Sequence, residues 1–404
     1  MWRIGFFFHE MGFGLLSVFL PLYLVHIHPA DGLFYVGVIT SVALFAAIPA
    51  YFLWGYLCDK TRHYKRYVLL AFLSAGVLLS FFAFTTDIAL LILIYALVAI
   101  FHAAHEAPKN VLISELYSHQ DWEANFAFYE GFTEVGTLIG LVLGFFASYY
   151  GVKPVDTLLL VAGLNFAAFA LSVVFVHDPP MIFERSLVGM EKRVGFASRG
   201  IFLASRMVEG RGLNERLKSE NVVAFCLALM FFSLATNILF TPLPIFVSSK
   251  SYLGMTSPIV FAVFILNSGG AVIGYAFAGR KTENLGGGSR VTGLIFARCL
   301  LTFALIAALL KSSFNVFLTV GVLLLMGLLF AAYMVRVESL FMELIPAGKA
   351  GLINVLAGIG AAFGSFVGPF IAQALGFLQV FVVAGVIFLG AFVSFKLFAR
   401  NREK

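Results

Sequence analysis

Residues 88–114 read IALLILIYALVAIFHAAHEAPKNVLIS. No charge occurs from Ile88 to Phe101, and apolar character resumes after Lys109. At ~1.5 Å of rise per residue, a helix over this stretch crosses the ~30 Å hydrocarbon core of a bilayer. His102, His105, Glu106 and Lys109 stand at i, i+3, i+4 and i+7, so they share one stripe of that helix. The stretch predicts a membrane span with an apolar body and a polar face turned towards other helices.

Eleven further apolar runs of similar length flank it, at 4–25, 34–58, 66–85, 123–149, 155–176, 222–247, 257–278, 290–310, 314–337, 350–375 and 378–397. Of the 404 residues 61% are hydrophobic, 47 are Phe and only 12% are charged, against about 25% charged in soluble domains. One water-soluble core cannot hide that much apolar surface, whereas a bilayer accepts it provided every backbone group pairs internally. The alternating ten-residue segments of a membrane barrel are missing. The expected fold is therefore an all-α membrane protein with twelve transmembrane helices. Met1-Trp2-Arg3 leads directly into the first run without a small-residue cleavage site, so that run reads as a span and not as a removed signal peptide.

Loop charges give the orientation. With a cytoplasmic N-terminus, 21 Lys and Arg residues fall in inside segments: Arg3, the group Lys60 to Arg66, eight between 179 and 220, Arg280, Lys281, Arg290, Lys349 and four after Leu389. Only Lys153, Lys250 and Lys311 fall outside. Both termini are expected in the cytoplasm and the chain in the cell membrane as a monomer. Its net charge of +6 then reflects topology and contact with lipid, and no nucleic-acid partner is expected. Cys58, Cys226 and Cys299 lie in or beside apolar runs, without a disulfide framework or metal-ligand spacing. The division reads as a six-helix bundle over 1–178, a charged linker over 179–220, and a second six-helix bundle over 221–404. Within the linker, Arg199 to Leu217 is loosely amphipathic and suits either a surface helix or a flexible tether.

The two halves resemble each other. FFFHEMGFGLLSVFLPLYLV in span one matches LMFFSLATNILFTPLPIFVS in span seven, aligning Pro21 with Pro244, and the ends of spans four and ten align Glu115 with Glu343. Between spans two and three the chain runs Gly55-Tyr-Leu-Cys-Asp59-Lys60-Thr-Arg62-His-Tyr-Lys65-Arg66. With six plus six spans and a long central loop, this resembles the major facilitator superfamily, whose signature there is G-x-L-x-D-(R/K)-x-G followed by basic residues. Gly55, Leu57, Asp59 and Lys60 match, while Arg62 replaces the second Gly. The second-half loop keeps Gly274, Arg280 and Lys281 but has Ala278 in place of the Asp. The resemblance implies two pseudo-symmetric bundles that rock about a midplane site. It also makes Gly55, Asp59, Lys60, Arg62 and Lys65 a conformational latch. In that reading Gly55 permits close helix approach and Asp59 caps a helix N-terminus of the other half. The alternative is a positive-inside cluster with one stray acid.

Intramembrane ionisable groups mark function by default. Beside the span-four stripe, span one carries His9 and Glu10, and span five carries Glu130 and Glu134 on one face. Helical rise places Glu10, Glu106 and Glu130 in one layer roughly 10 Å inside the membrane, with Glu134 deeper. The expected charge network is Glu10, His102, His105, Glu106, Lys109, Glu130 and Glu134. Glu134 is the leading proton carrier, and Glu106 or Glu130 the partner of Lys109. A static network that only holds the first half together is the competing account. Metal coordination by His102, His105 and Glu106 is opposed by Lys109 one turn on, so neither a metal nor another cofactor is assigned. The superfamily's central cavity is lined by spans one, four, seven and ten. His9, Asn237, Asn267, Tyr333 and Asn354 are the candidate cavity residues, and Gln373 is a further deep polar group. Arg298 in span nine is expected to snorkel to the surface, and Arg336 to pair with Glu338 at the interface.

The stretch from Ala107 to Leu116, with Ala124, Asn125 and Glu130, is similar to bacterial lysophospholipid transporters, while GFTEVGTLIG in span five lacks the Gly-Pro step of drug antiporters. No G-x-S-x-G, H-E-x-x-H or P-loop supports an enzyme. The expected function is secondary active transport of a small organic or amphipathic substrate, coupled to protons and proceeding by alternating access. The alternative is a proton-independent facilitator or lipid flippase that uses the same charges to bind a head group.

Overall fold

The computed structural model describes residues 1–116, 122–178, 222–278, 287–309, 315–344 and 351–402. Among these, twelve helices are long and apolar enough to cross a membrane. Spans one to six cover Ile4–Ile27, Gly32–Thr61, Tyr64–Ala83, Ile88–Ile113, Ala124–Tyr149 and Pro154–Phe175. Spans seven to twelve cover Val222–Ser248, Ser257–Ala278, Val291–Leu309, Asn315–Glu338, Asn354–Ala374 and Phe377–Ala399. Each coincides with one expected run to within a few residues. The expected linker helix lies outside the described residues.

Span four is not one straight helix. It stops at His102, passes through a 3₁₀ turn over Ala103–His105, and restarts at Glu106. Pro108 explains the break, because it has no N–H to offer the carbonyl four residues earlier and its ring crowds that turn. Span seven is interrupted as well, with helix over Val222–Phe240 and Leu243–Ser248 on either side of a turn containing Pro242. Span one runs unbroken through Pro21, so the aligned prolines do not produce aligned breaks.

Helix packing repeats between the halves. Span one packs on five and six, three on six, and two on four; correspondingly, seven packs on eleven and twelve, nine on twelve, and eight on ten. The two bundles meet where span two packs on eleven and span five on eight, again an equivalent pair. Because lipid tails supply little hydrophobic drive between helices, the close contacts depend on small residues. A Cβ on Gly136 or Gly140 of span five would strike the carbonyl oxygens of Phe7 and Met11 in span one. One on Gly360 or Gly364 of span eleven would strike those of Met230 and Leu234 in span seven. These pairs coincide under the register that aligns Pro21 with Pro244. The fold is two pseudo-symmetric six-helix bundles.

The loop after span two shows why the missing glycine is tolerated. Arg62 adopts φ 58°, the left-handed conformation that glycine takes without strain, and its N–H closes the helix on the Cys58 carbonyl at 2.8 Å. The turn survives with Arg bearing its steric cost, while the expected close approach at Gly55 is not seen among the described residues, none of which brings a heavy atom within 4 Å of its Cβ position.

Candidate functional site

Polar groups of spans one, four and six meet in the core of the first bundle. Asn165 donates its amide to the Val161 carbonyl at 2.9 Å, which turns its Oδ1 towards His9 Nδ1 at 2.6 Å. His9 donates there, and in the neutral imidazole its Nε2 then accepts from His102 Nδ1 at 2.9 Å. The result is a directed chain from His102 through His9 to Asn165, with His9 and Asn165 fully buried. The His105 ring stands against both other imidazoles, with centroids 4.6 Å from His102 and 5.0 Å from His9. Ligand atoms of His9, Glu10, His102 and His105 all lie within 4.8 Å of one another. Both ring nitrogens of His9 are already hydrogen-bonded, however, so this constellation stands as a polar chain. His9, expected in the substrate cavity, belongs to this core.

The acids and Lys109 form the next layer. Lys109 Nζ lies 2.7 Å from Glu106 Oε2 and 3.4 Å from Glu130 Oε1, and it sits over the Tyr129 ring at 5.3 Å. His105 Nε2 is 3.4 Å from Glu106 Oε1, which links the histidines to the charge cluster. Glu10 is within electrostatic reach of Glu106, Glu130, Glu134 and Lys109. Glu338 of span ten acts on the same group from the opposite half. The expected ion pair of Glu338 with Arg336 is not seen among the described residues, where the Arg336 guanidinium reaches back to the Ala332 carbonyl at 3.4 Å.

Glu134 stands apart from that layer. Its Oε1 accepts from Ser268 Oγ at 2.5 Å, a hydrogen bond between spans five and eight and hence between the halves. A cavity of about 230 Å³ opens beside it, lined by Glu134, Thr236, Phe240, Asn267, Ala271, Arg298, Met326, Gly327 and Phe330. Of the expected cavity residues, only Asn267 lines this space, its amide held by the Leu323 carbonyl at 2.6 Å. Asn237 is tied to Ser233 and Ser365, and Tyr333 is buried behind Phe232 with ring centroids 3.6 Å apart. Asn354 is half-buried in span eleven, away from the cavity wall. Gln373 is exposed at the end of span eleven beside Asp31. Arg298 overturns its expected role: it is only 1% exposed and points inwards, so it cannot snorkel.

Among the described residues, the hydrogen bonds of the loop fall within one half. Lys65 receives Asp178 Oδ1 on its backbone N–H at 2.8 Å and donates its Nζ to the Val173 carbonyl at 2.6 Å, which ties the start of span three to the end of span six. Lys60 lies over the Tyr56 ring at 5.7 Å. Asp59 is exposed, and no hydrogen bond or ion pair to it is seen among the described residues. The side chains of Glu115 and Glu343 lie outside the described residues.

Asn165, Ser268, Thr236 and Asp178 escaped the sequence reading. The first three are neutral groups within apolar runs, and only their buried hydrogen bonds or position on the cavity wall reveal them.

Twelve spans in two equivalent bundles, with a cavity of mixed polar and apolar lining that includes Glu134 of the first half, fit a membrane transporter. The family model of the Major Facilitator Superfamily matches residues 4–357, and the chain belongs to that superfamily. No individual curated protein matches it.

Proposed function

We propose that the chain is a proton-coupled secondary transporter that carries a small organic or amphipathic substrate by alternating access. The observation that carries this reading is Glu134, a carboxyl that lines the cavity and bridges the two halves through Ser268. A proton on Glu134 removes a charge from the surface between the bundles. Its departure leaves an anion there that favours a different arrangement of the halves. Lys109, held between Glu106 and Glu130, anchors the other end of the layer. Glu10 and the chain His102–His9–Asn165 offer a polar route through the first bundle.

In this reading 1–178 and 221–404 are the moving bodies and 179–220 is their cytoplasmic tether. Both termini are cytoplasmic, the chain is a monomer in the cell membrane, and Gly55, Asp59, Lys60, Arg62 and Lys65 engage the other half at one stage of the cycle. The test starts with a library of organic anions, cations and amphipaths, screened by thermal shift on the purified protein. The best ligand is then labelled and followed into proteoliposomes under a pH gradient. Accumulation that tracks the gradient supports coupling. Flux that only equilibrates, at any pH gradient, replaces this reading with a facilitator or flippase.

A further inference from the structure

Arg298 is a full charge in the middle of span nine, where burial in the bilayer interior is costly. Its guanidinium is enclosed by four rings, Phe330, Phe232, Phe240 and Phe388, at 5.1, 5.2, 5.4 and 5.6 Å. Those faces attract the cation but accept none of its five N–H donors in the plane of the fork. The hydrogen bond found is from Nη1 to the Met326 carbonyl at 3.2 Å, while Nε has no partner. Among the described residues no carboxylate forms an ion pair with it. Thr236 Oγ1, on the same cavity wall, is also buried without a partner. Buried polar atoms in native proteins are almost always satisfied. Here two unsatisfied groups border one hollow of about 230 Å³, whose wall also carries Glu134, hydrogen-bonded to Ser268, and Asn267, bonded to the Leu323 carbonyl, and is otherwise apolar: Phe240, Ala271, Met326, Gly327 and Phe330.

We propose that this cavity is an oxyanion-binding site, in which Arg298 and Thr236 hold the carboxylate, phosphate or sulfonate of a substrate and the phenylalanines hold its apolar body. The planar guanidinium fork suits a two-oxygen acceptor. Occupation completes the hydrogen bonding of Arg298 and supplies its missing counter-charge. The inference deepens the transport reading and rests on it for the cavity being part of the transport path. It sets the substrate's sign for the state in which Glu134 holds its proton: an amphipathic or aromatic anion, with cations disfavoured by Arg298. The volume admits a small anion whole, or only the head group of a larger lipid.

The test uses purified protein in detergent without any gradient, so its outcome does not depend on proton coupling. Thermal shift and calorimetry are run with benzenesulfonate, phenyl phosphate, phenyltrimethylammonium and benzyl alcohol, and with lysophosphatidate against lysophosphatidylcholine in mixed micelles. At least one anion should stabilise the protein, with the cation and the alcohol inert. Response to the soluble anions points to a free organic anion, and response to lysophosphatidate alone points to a lipid head group. Arg298→Met should weaken the active anion at least tenfold, and Arg298→Lys, which keeps the charge and loses the fork, by less. If a replacement fails to fold, the charge series on the parent protein decides. Equal stabilisation by cation or alcohol, no response to any of the three anions, or unchanged anion binding in Arg298→Met overturns the proposal. Anion binding without gradient-driven accumulation would leave it standing and remove only the coupling.

Discussion

Replacing Lys109 by Met removes the cation 2.7 Å from Glu106 and 3.4 Å from Glu130. At an effective dielectric of about 20 these attractions are worth about 6 and about 5 kcal/mol before desolvation. Desolvation of three charges offsets much of that sum, so the pairing itself adds little. Removing one partner is different, because it leaves two carboxylates facing each other with no cation between them. Breaking a buried pair in this way costs about 3–5 kcal/mol. The Lys109 side chain is 12% exposed and its partners 20% and 23%, which favours the lower end, about 3 kcal/mol. The assay is reversible unfolding in mixed micelles for Lys109→Met, Glu106→Gln and the double variant. Since the double variant removes one charge of each sign, it should recover more than half of the loss seen in Lys109→Met, a non-additivity that a double-mutant cycle isolates. A loss below about 1 kcal/mol in Lys109→Met, or strictly additive effects, would refute the buried network.

Other outcomes follow from local geometry. Arg62→Gly should raise stability by about 1 kcal/mol, because the left-handed conformation costs a side chain about that much; a lower melting temperature would contradict the assignment of strain to this turn. Gly140→Ala forces a methyl against the Met11 carbonyl and should destabilise by about 1–3 kcal/mol, whereas Gly55→Ala, with open space around it, should leave the melting temperature unchanged or slightly higher. Reporters inserted near residue 200 and fused after Lys404 should both read as cytoplasmic, given the 21-to-3 division of loop charge; either one outside would overturn the proposed orientation.

The twelve spans and their pairing into halves were legible because lipid imposes a length and an apolar composition that runs such as 88–114 display openly. The repeat was legible from Pro21 and Pro244, and the glycine contacts of spans five and eleven bear out its register. Lys109 with Glu106 and Glu130 could also be read, because charges at helical spacing inside an apolar run have few other ways to be accommodated. Arg298 could not be placed. A single charge does not reveal the rotation of its helix, which the packing of span nine on spans ten and twelve decides. Neutral groups such as Asn165, Ser268 and Thr236 leave no mark in the hydropathy pattern. The positive φ of Arg62 is a backbone property that the residue type argues against. The kink in span four was carried by Pro108 and was hidden by reading the polar stripe as one straight helix.

The most direct measurement of the account is gradient-driven uptake by Glu134→Gln in proteoliposomes, with the membrane potential clamped and the labelled ligand from the thermal-shift screen. A pH gradient of one unit is worth about 1.4 kcal/mol per proton, enough for about tenfold accumulation at one proton per substrate. The parent protein should approach that ratio. The Gln variant, which keeps the shape of the protonated carboxyl but cannot release its proton, should fall to a ratio of about one while still catalysing counterflow exchange. Parental accumulation by Glu134→Gln would contradict the account.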